Sequence, residues 1–116
     1  MLKKTIVGLV LVAGLLGCSD PEIEWLYNGS SVGLDRQGWL EASADRRLGT
    51  AGFWLRGLNK DGWLKDPAMI EGEAFKKNAQ QLADCVDSSI AVSQAETNHL
   101  VASCVSVMGW SSDKRS

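Results

Sequence analysis

Apolar residues fall into distinct patterns along this chain, and each pattern predicts its own kind of element. Residues 5–16 are almost continuously apolar and follow a cationic start, Met1-Leu2-Lys3-Lys4. That run is well short of the about twenty residues that cross a bilayer, and it has the proportions of a secretory signal. From Ser43 onward the pattern changes. Ala44, Leu48, Ala51, Leu55 and Leu58 recur at steps of four, three, four and three, the stripe of an amphipathic helix. Ser43 can cap this helix, Asp45 sits in its first turn where the dipole favours an anion, and Asn59-Lys60-Asp61-Gly62 ends it. Arg46, Arg47 and Arg56 fall off the stripe. Gly49 and Gly52 each cost such a helix up to about 1 kcal/mol, which close contact with a neighbour would explain.

Asp66-Pro67 is a second start signal, an N-cap followed by proline in the first turn. The short helix it predicts is interrupted at Glu71-Gly72-Glu73. A longer helix follows with Phe75, Ala79, Leu82 and Val86 inward, Lys76, Lys77, Gln80 and Gln81 outward, and an end at Ser88. Ser93-Gln94-Ala95-Glu96 reads as a capping box opening a further helix, with Leu100, Cys104 and Val107 on its buried face and Gly109 as its stop. Residues 19–33 mix turn formers with the apolar patch Ile23, Trp25, Leu26 and Tyr27, which predicts a tether and then an irregular or briefly extended segment. The expected fold is therefore all-α, a small bundle of three to four helices. Residues 1–17 form a signal peptide, 18–33 a tether and irregular segment, 34–110 the helical domain and 111–116 a frayed tail.

Composition narrows the function. The 116 residues leave 99 once the signal is removed, enough for one modest core. Lys3 and Lys4 leave with the signal, so fourteen acidic residues face ten basic ones and the net charge is −4. Nucleic acid, which selects a clustered positive surface, is not an expected partner.

The signal ends in Leu15-Leu16-Gly17-Cys18, which resembles the lipobox of bacterial lipoproteins. The resemblance implies cleavage before Cys18, a diacylglycerol on its thiol and an acyl chain on its amine. Each buried lipid CH₂ contributes about 0.8 kcal/mol and stable anchoring takes more than one chain, so a triacylated Cys18 would hold the domain on a membrane. In that family an aspartate directly after the cysteine favours the inner membrane. Here Ser19 follows and Asp20 comes one place later, which implies the outer membrane, facing the periplasm. The covalent lipid is the only prosthetic group expected.

Cys85 and Cys104 then remain in an oxidising space, where a disulfide is expected. Counted along the predicted helices, Cys104 lies about 15 Å past the start of its helix and Cys85 only about 5 Å before the end of its own. The bridge therefore requires an asymmetric loop at residues 89–93. A rival metal site of Cys85, His99 and Cys104 supplies only three ligands and no C-x-x-C element, so no metal is expected.

One nonapeptide recurs. Residues 33–41 and 57–65 share Gly, Leu, Gly, Trp and Leu at matching positions. As a calcium loop the second copy lacks essential oxygens, with Gly57 at position 1 and Ala68 at position 12. A turn that stops a helix and then inserts a tryptophan accounts for it. Five tryptophans are a heavy load for one small domain. Trp54 is expected in or beside the core. Trp25, Trp39, Trp63 and Trp110 lie near segment ends, and they are the candidate partner-binding residues because exposed tryptophans are frequent hot spots. Catalysis has little to draw on. His99 stands without a G-x-S-x-G or H-E-x-x-H pattern, and nothing places Glu71 and Glu73 in a cleft.

Thr50-Ala51-Gly52-Phe53-Trp54-Leu55, then Gly57-Leu58-Asn59-Lys60-Asp61, and later Leu82-Ala83-Asp84-Cys85 resemble small helical periplasmic proteins. These are the acid-stress chaperones of the Hde type and the immunity proteins that neutralise type VI secretion effectors. The resemblance implies a helical, disulfide-stapled, non-enzymatic protein. It departs at the cysteines: the acid chaperones pair their late cysteine with one upstream, whereas Cys85 has only Cys104 downstream. The expected function is a lipid-anchored protein that binds a periplasmic protein partner, in the manner of an immunity or inhibitor factor. The alternatives are an acid-activated holdase, or a structural lipoprotein touching peptidoglycan through Trp39 and Trp63.

Overall fold

The computed structural model describes residues 21–112. The signal segment, Cys18 and residues 113–116 lie outside the described residues. Among the described residues two 3₁₀ helices, η1 (Pro21–Asn28) and η2 (Pro67–Ile70), each precede a pair of α-helices: α1 (Arg36–Glu41) and α2 (Ala44–Lys60), then α3 (Gly72–Ile90) and α4 (Thr97–Val107). Among the described residues no helix is long and apolar enough to cross a membrane. The all-α bundle and the Cys85–Cys104 disulfide expected from the sequence are both present, the disulfide with a Cα–Cα distance of 6.0 Å.

Local signals placed several elements correctly. Ser43 caps α2 by accepting from the Arg46 N–H, and Asp66 caps η2 by accepting from Ala68. Phe75, Ala79, Leu82 and Val86 of α3 are buried against Leu48, Ala51 and Leu55 of α2 in one core. The stop signals of α2 and α4 take the same form. Gly62 and Trp63 donate to Asn59 and Leu58, and Gly109 and Trp110 donate to Ser106 and Val105, so each helix ends in a Schellman motif with glycine followed by tryptophan. The two ends are then tied together. Lys65 donates to the Trp110 carbonyl and Ser112 to that of Trp63, around an isolated bridge between Leu64 and Ser111. Ser111 and Ser112 are thus held in place, where the sequence pattern predicts fraying.

Residues 21–28 differ from the expected irregular segment. They form η1, which lies across α2 with Leu26 fully buried. The two glycines that looked costly in α2 make this possible. A Cβ on Gly49 would sit 2.4 Å from the Gly29 nitrogen, and one on Gly52 would sit 2.7 Å from both Leu26 Cδ1 and Trp25 Cζ3. Thr50, also fully buried, completes the seam by accepting from the Ser30 N–H and donating to the Arg46 carbonyl.

Several other departures lie around α1 and the α3–α4 loop that Arg36 bonds. The recurring nonapeptide opens a helix in its first copy, where Asp35 caps α1 by accepting from Gly38, and closes one in its second. Arg36 reaches the α3–α4 loop and donates to the carbonyls of Ile90, Ser93 and Ala95, while the Thr97 hydroxyl donates to Leu34. Ser93 accepts from Ala95 in a local turn instead of forming the capping box, so α4 starts at Thr97. Meanwhile α3 runs on to Ile90. Cys85 is therefore about 7.5 Å from its helix end and Cys104 about 10.5 Å from its helix start, an offset of only about 3 Å. The bridge needs no asymmetric loop. Val107, expected on the buried face, is 81% exposed, and Val101 and Val105 take that role.

Trp39 of α1 is completely buried. Its indole N–H donates to Asp87 Oδ1 at 2.7 Å, and Arg47 donates to the same oxygen at 3.1 Å and to the carbonyls of Trp39 and Leu40. Asp87→Ala leaves a buried indole donor without its acceptor and should cost about 2 kcal/mol in urea unfolding. Asp87→Asn keeps an oxygen for the indole and should cost less than half of that.

Candidate functional site

Two large aromatics of α2 lie off the stripe that builds the core, Trp54 on its flank and Phe53 on its far side. Trp54 is half-buried and fixed from two sides. Its ring stacks on Trp39 at 5.5 Å between centroids and 23° between planes, and the backbone of Gly33 lies against its nitrogen edge. Phe53 meets Tyr27 edge-on at 6.2 Å. Tyr27 is 59% exposed and Val32, at the lip, is 93% exposed.

These residues bound an open groove. Its central part, about 320 Å³, lies between Ser31 and Val32, the Phe53, Trp54, Gly57 and Leu58 edge of α2, Asp61 and Trp63 just past that helix, and Asn98 and Val101 of α4. Through Ser31, Phe53 and Gly57 it continues into a shallow region beside Tyr27 and Ile70, rimmed by Arg56, Asn59 and Lys60. Through Val32, Trp54 and Asn98 it continues toward Asp35 and Glu96. The floor is aromatic and the rim polar, with basic side chains at one end and acidic ones at the other. Such a surface gains affinity by burying rigid aromatic faces, whose ordering on binding costs little because neighbours already hold them.

The four tryptophans singled out from the sequence are not brought together. Trp63 lines the groove, placed there by the clip that joins the two Schellman ends. Trp39 lies in the core behind it, so it presents no surface, and the pairing of Trp39 with Trp63 on peptidoglycan has no common face. Trp25 packs half-buried over Gly52 and edge-on against Phe75, and Trp110 is half-buried against the core. Phe53, Tyr27 and Val32 escaped the sequence reading, as did the groove-lining role of Trp54. For Trp54 a signal existed, since it falls about 80° from the stripe through Ala51 and Leu55, whereas Phe53 falls on the far side of that stripe and gave none. The residues weighed for catalysis, His99, Glu71 and Glu73, are all exposed and do not line the groove. Cys85 and Cys104 are bonded to each other, which takes both sulfurs from the rival metal site.

Compared with family models, curated proteins and solved structures, the chain matches none.

Proposed function

We propose that this protein is a lipid-anchored envelope protein that acts without catalysis, by holding a periplasmic protein partner against the groove between α2, α4 and residues 31–32. The observation that carries this reading is the fixed aromatic floor: Trp54 stacked on buried Trp39, with Phe53, Tyr27 and Trp63 around it. A mixed rim, with Arg56 and Lys60 toward one end and Asp35 and Glu96 toward the other, supplies orientation. The lipobox Leu15-Leu16-Gly17-Cys18 supports the anchor, and an anchor would concentrate the domain where envelope partners work. An inhibitor of the immunity type fits a rigid surface of this kind.

The test is capture from envelope extract, followed by affinity measurement on whatever stoichiometric partner is recovered. Phe53→Ala and Trp63→Ala should each weaken that partner by about 2 kcal/mol, roughly thirtyfold. Val107→Ser, on exposed α4 surface outside the groove, should leave it unchanged. Capture unaffected by both groove variants would remove the groove from the reading.

A further inference from the structure

The folded domain starts three residues after Cys18, and it starts firmly, because η1 begins at Pro21 and buries Leu26 completely. Ser19 and Asp20 are the only residues between the lipid-bearing position and that helix. A fully extended chain covers at most about 3.6 Å per residue, so Pro21 stays within about 11 Å of the Cys18 backbone. We infer that the headgroup layer of the anchoring bilayer is itself a surface on which this domain docks, through the end of the molecule where η1 and α3 begin. The inference rests on the lipid-anchor reading of Cys18.

The chemistry of that end fits its occupant. A shallow pit of about 330 Å³ opens there, lined by Glu22, Trp25, Gly72, Glu73 and Lys76. Trp25 stands edge-on to Phe75 at 4.9 Å and donates its indole N–H to the Glu22 carbonyl at 2.8 Å, an amphipathic ring of the kind that favours the headgroup level. Glu22, Glu73 and Lys76 are exposed and of mixed sign. A zwitterionic phospholipid presents the matching pair, its ammonium to Glu73 and its phosphate to Lys76. With this end on the membrane, the 19-residue α3 carries the opposite end about 27 Å along its axis. The α3–α4 loop clamped by Arg36 and the exposed Val92 are at that opposite end.

The test uses the full lipoprotein purified with its lipid and reconstituted in phosphatidylethanolamine–phosphatidylcholine vesicles containing a nitroxide-headgroup lipid. Tryptophan emission should be quenched, and Trp25→Phe should lose most of that quenching. A second variant leaves every contact of the domain intact. Inserting about twelve glycine and serine residues between Asp20 and Pro21 gives a root-mean-square slack of about 20 Å, and a face that binds headgroups should keep most of its quenching on that longer tether. Native-like quenching in Trp25→Phe, or quenching lost once the tether is slackened, overturns the inference. Flotation reads the underlying assumption separately: a chain that does not float with the vesicles has no anchor, and both readings then fail together.

Discussion

Replacing Gly49 with alanine should destabilise the domain by about 3 kcal/mol, the upper end of what overpacking a core by one methyl costs. The reason is the identity of the obstacles. The new Cβ would lie 2.4 Å from the Gly29 nitrogen and 2.7 Å from the Leu26 carbonyl oxygen, both backbone atoms. A flexible side-chain tip can rotate away, but here η1 as a whole must lift off α2. Lifting it exposes Leu26 and loosens the Ser30–Thr50 hydrogen bond. Gly57→Ala, in the same helix, is the control. Nothing lies within 4 Å of a Cβ at that site, so alanine should stabilise by about 0.5–1 kcal/mol through helix propensity alone. Urea unfolding of the two variants measures the contrast directly. A cost below 1 kcal/mol at Gly49 would mean that η1 is not seated as described.

That contrast also marks how far the sequence could be read. Elements decided by neighbours in the chain were legible: the Ser43 cap, the Asp66-Pro67 start, the α3 stripe and the Gly109 stop all depend on residues a few places apart. Elements decided by distant partners were not. Segment η1 is too short and irregular to show a period, and it is defined by the glycine seam it meets on α2. Helix α1 has six residues and is held by bonds to the α3–α4 region from Arg36 and Trp39. The recurring nonapeptide makes the point within one chain. Asp35 follows a loop and therefore starts a helix, whereas its counterpart Asn59 lies inside an established one and can only prepare its end. The groove was half legible, since Trp63 could be identified as a helix-end tryptophan. Its meeting with Phe53 and Trp54 depends on the clip between residues 63–65 and 110–112, which no local pattern announces.

Removing the disulfide by the double substitution Cys85→Ala and Cys104→Ala should cost about 3 kcal/mol, the chain-entropy value for a loop of this size. In a domain of this length that corresponds to a fall in Tm of roughly 15 °C. The expected signature is specific, because the cross-link acts mainly on the unfolded chain. The near-level placement of the cysteines on α3 and α4 means that the helices meet there without being pulled together by the bond. Arg36 and Thr97 hold the connecting loop independently of the bond. Far-UV circular dichroism of the double variant at low temperature should therefore match the native chain while its thermal midpoint drops. Loss of helical signal before heating would show instead that the bond creates the α3–α4 pairing. Arg36→Met separates the two devices. It removes donors to three loop carbonyls and leaves the bridge intact, so it should lower the midpoint by less than the double cysteine variant and add to it when the two are combined.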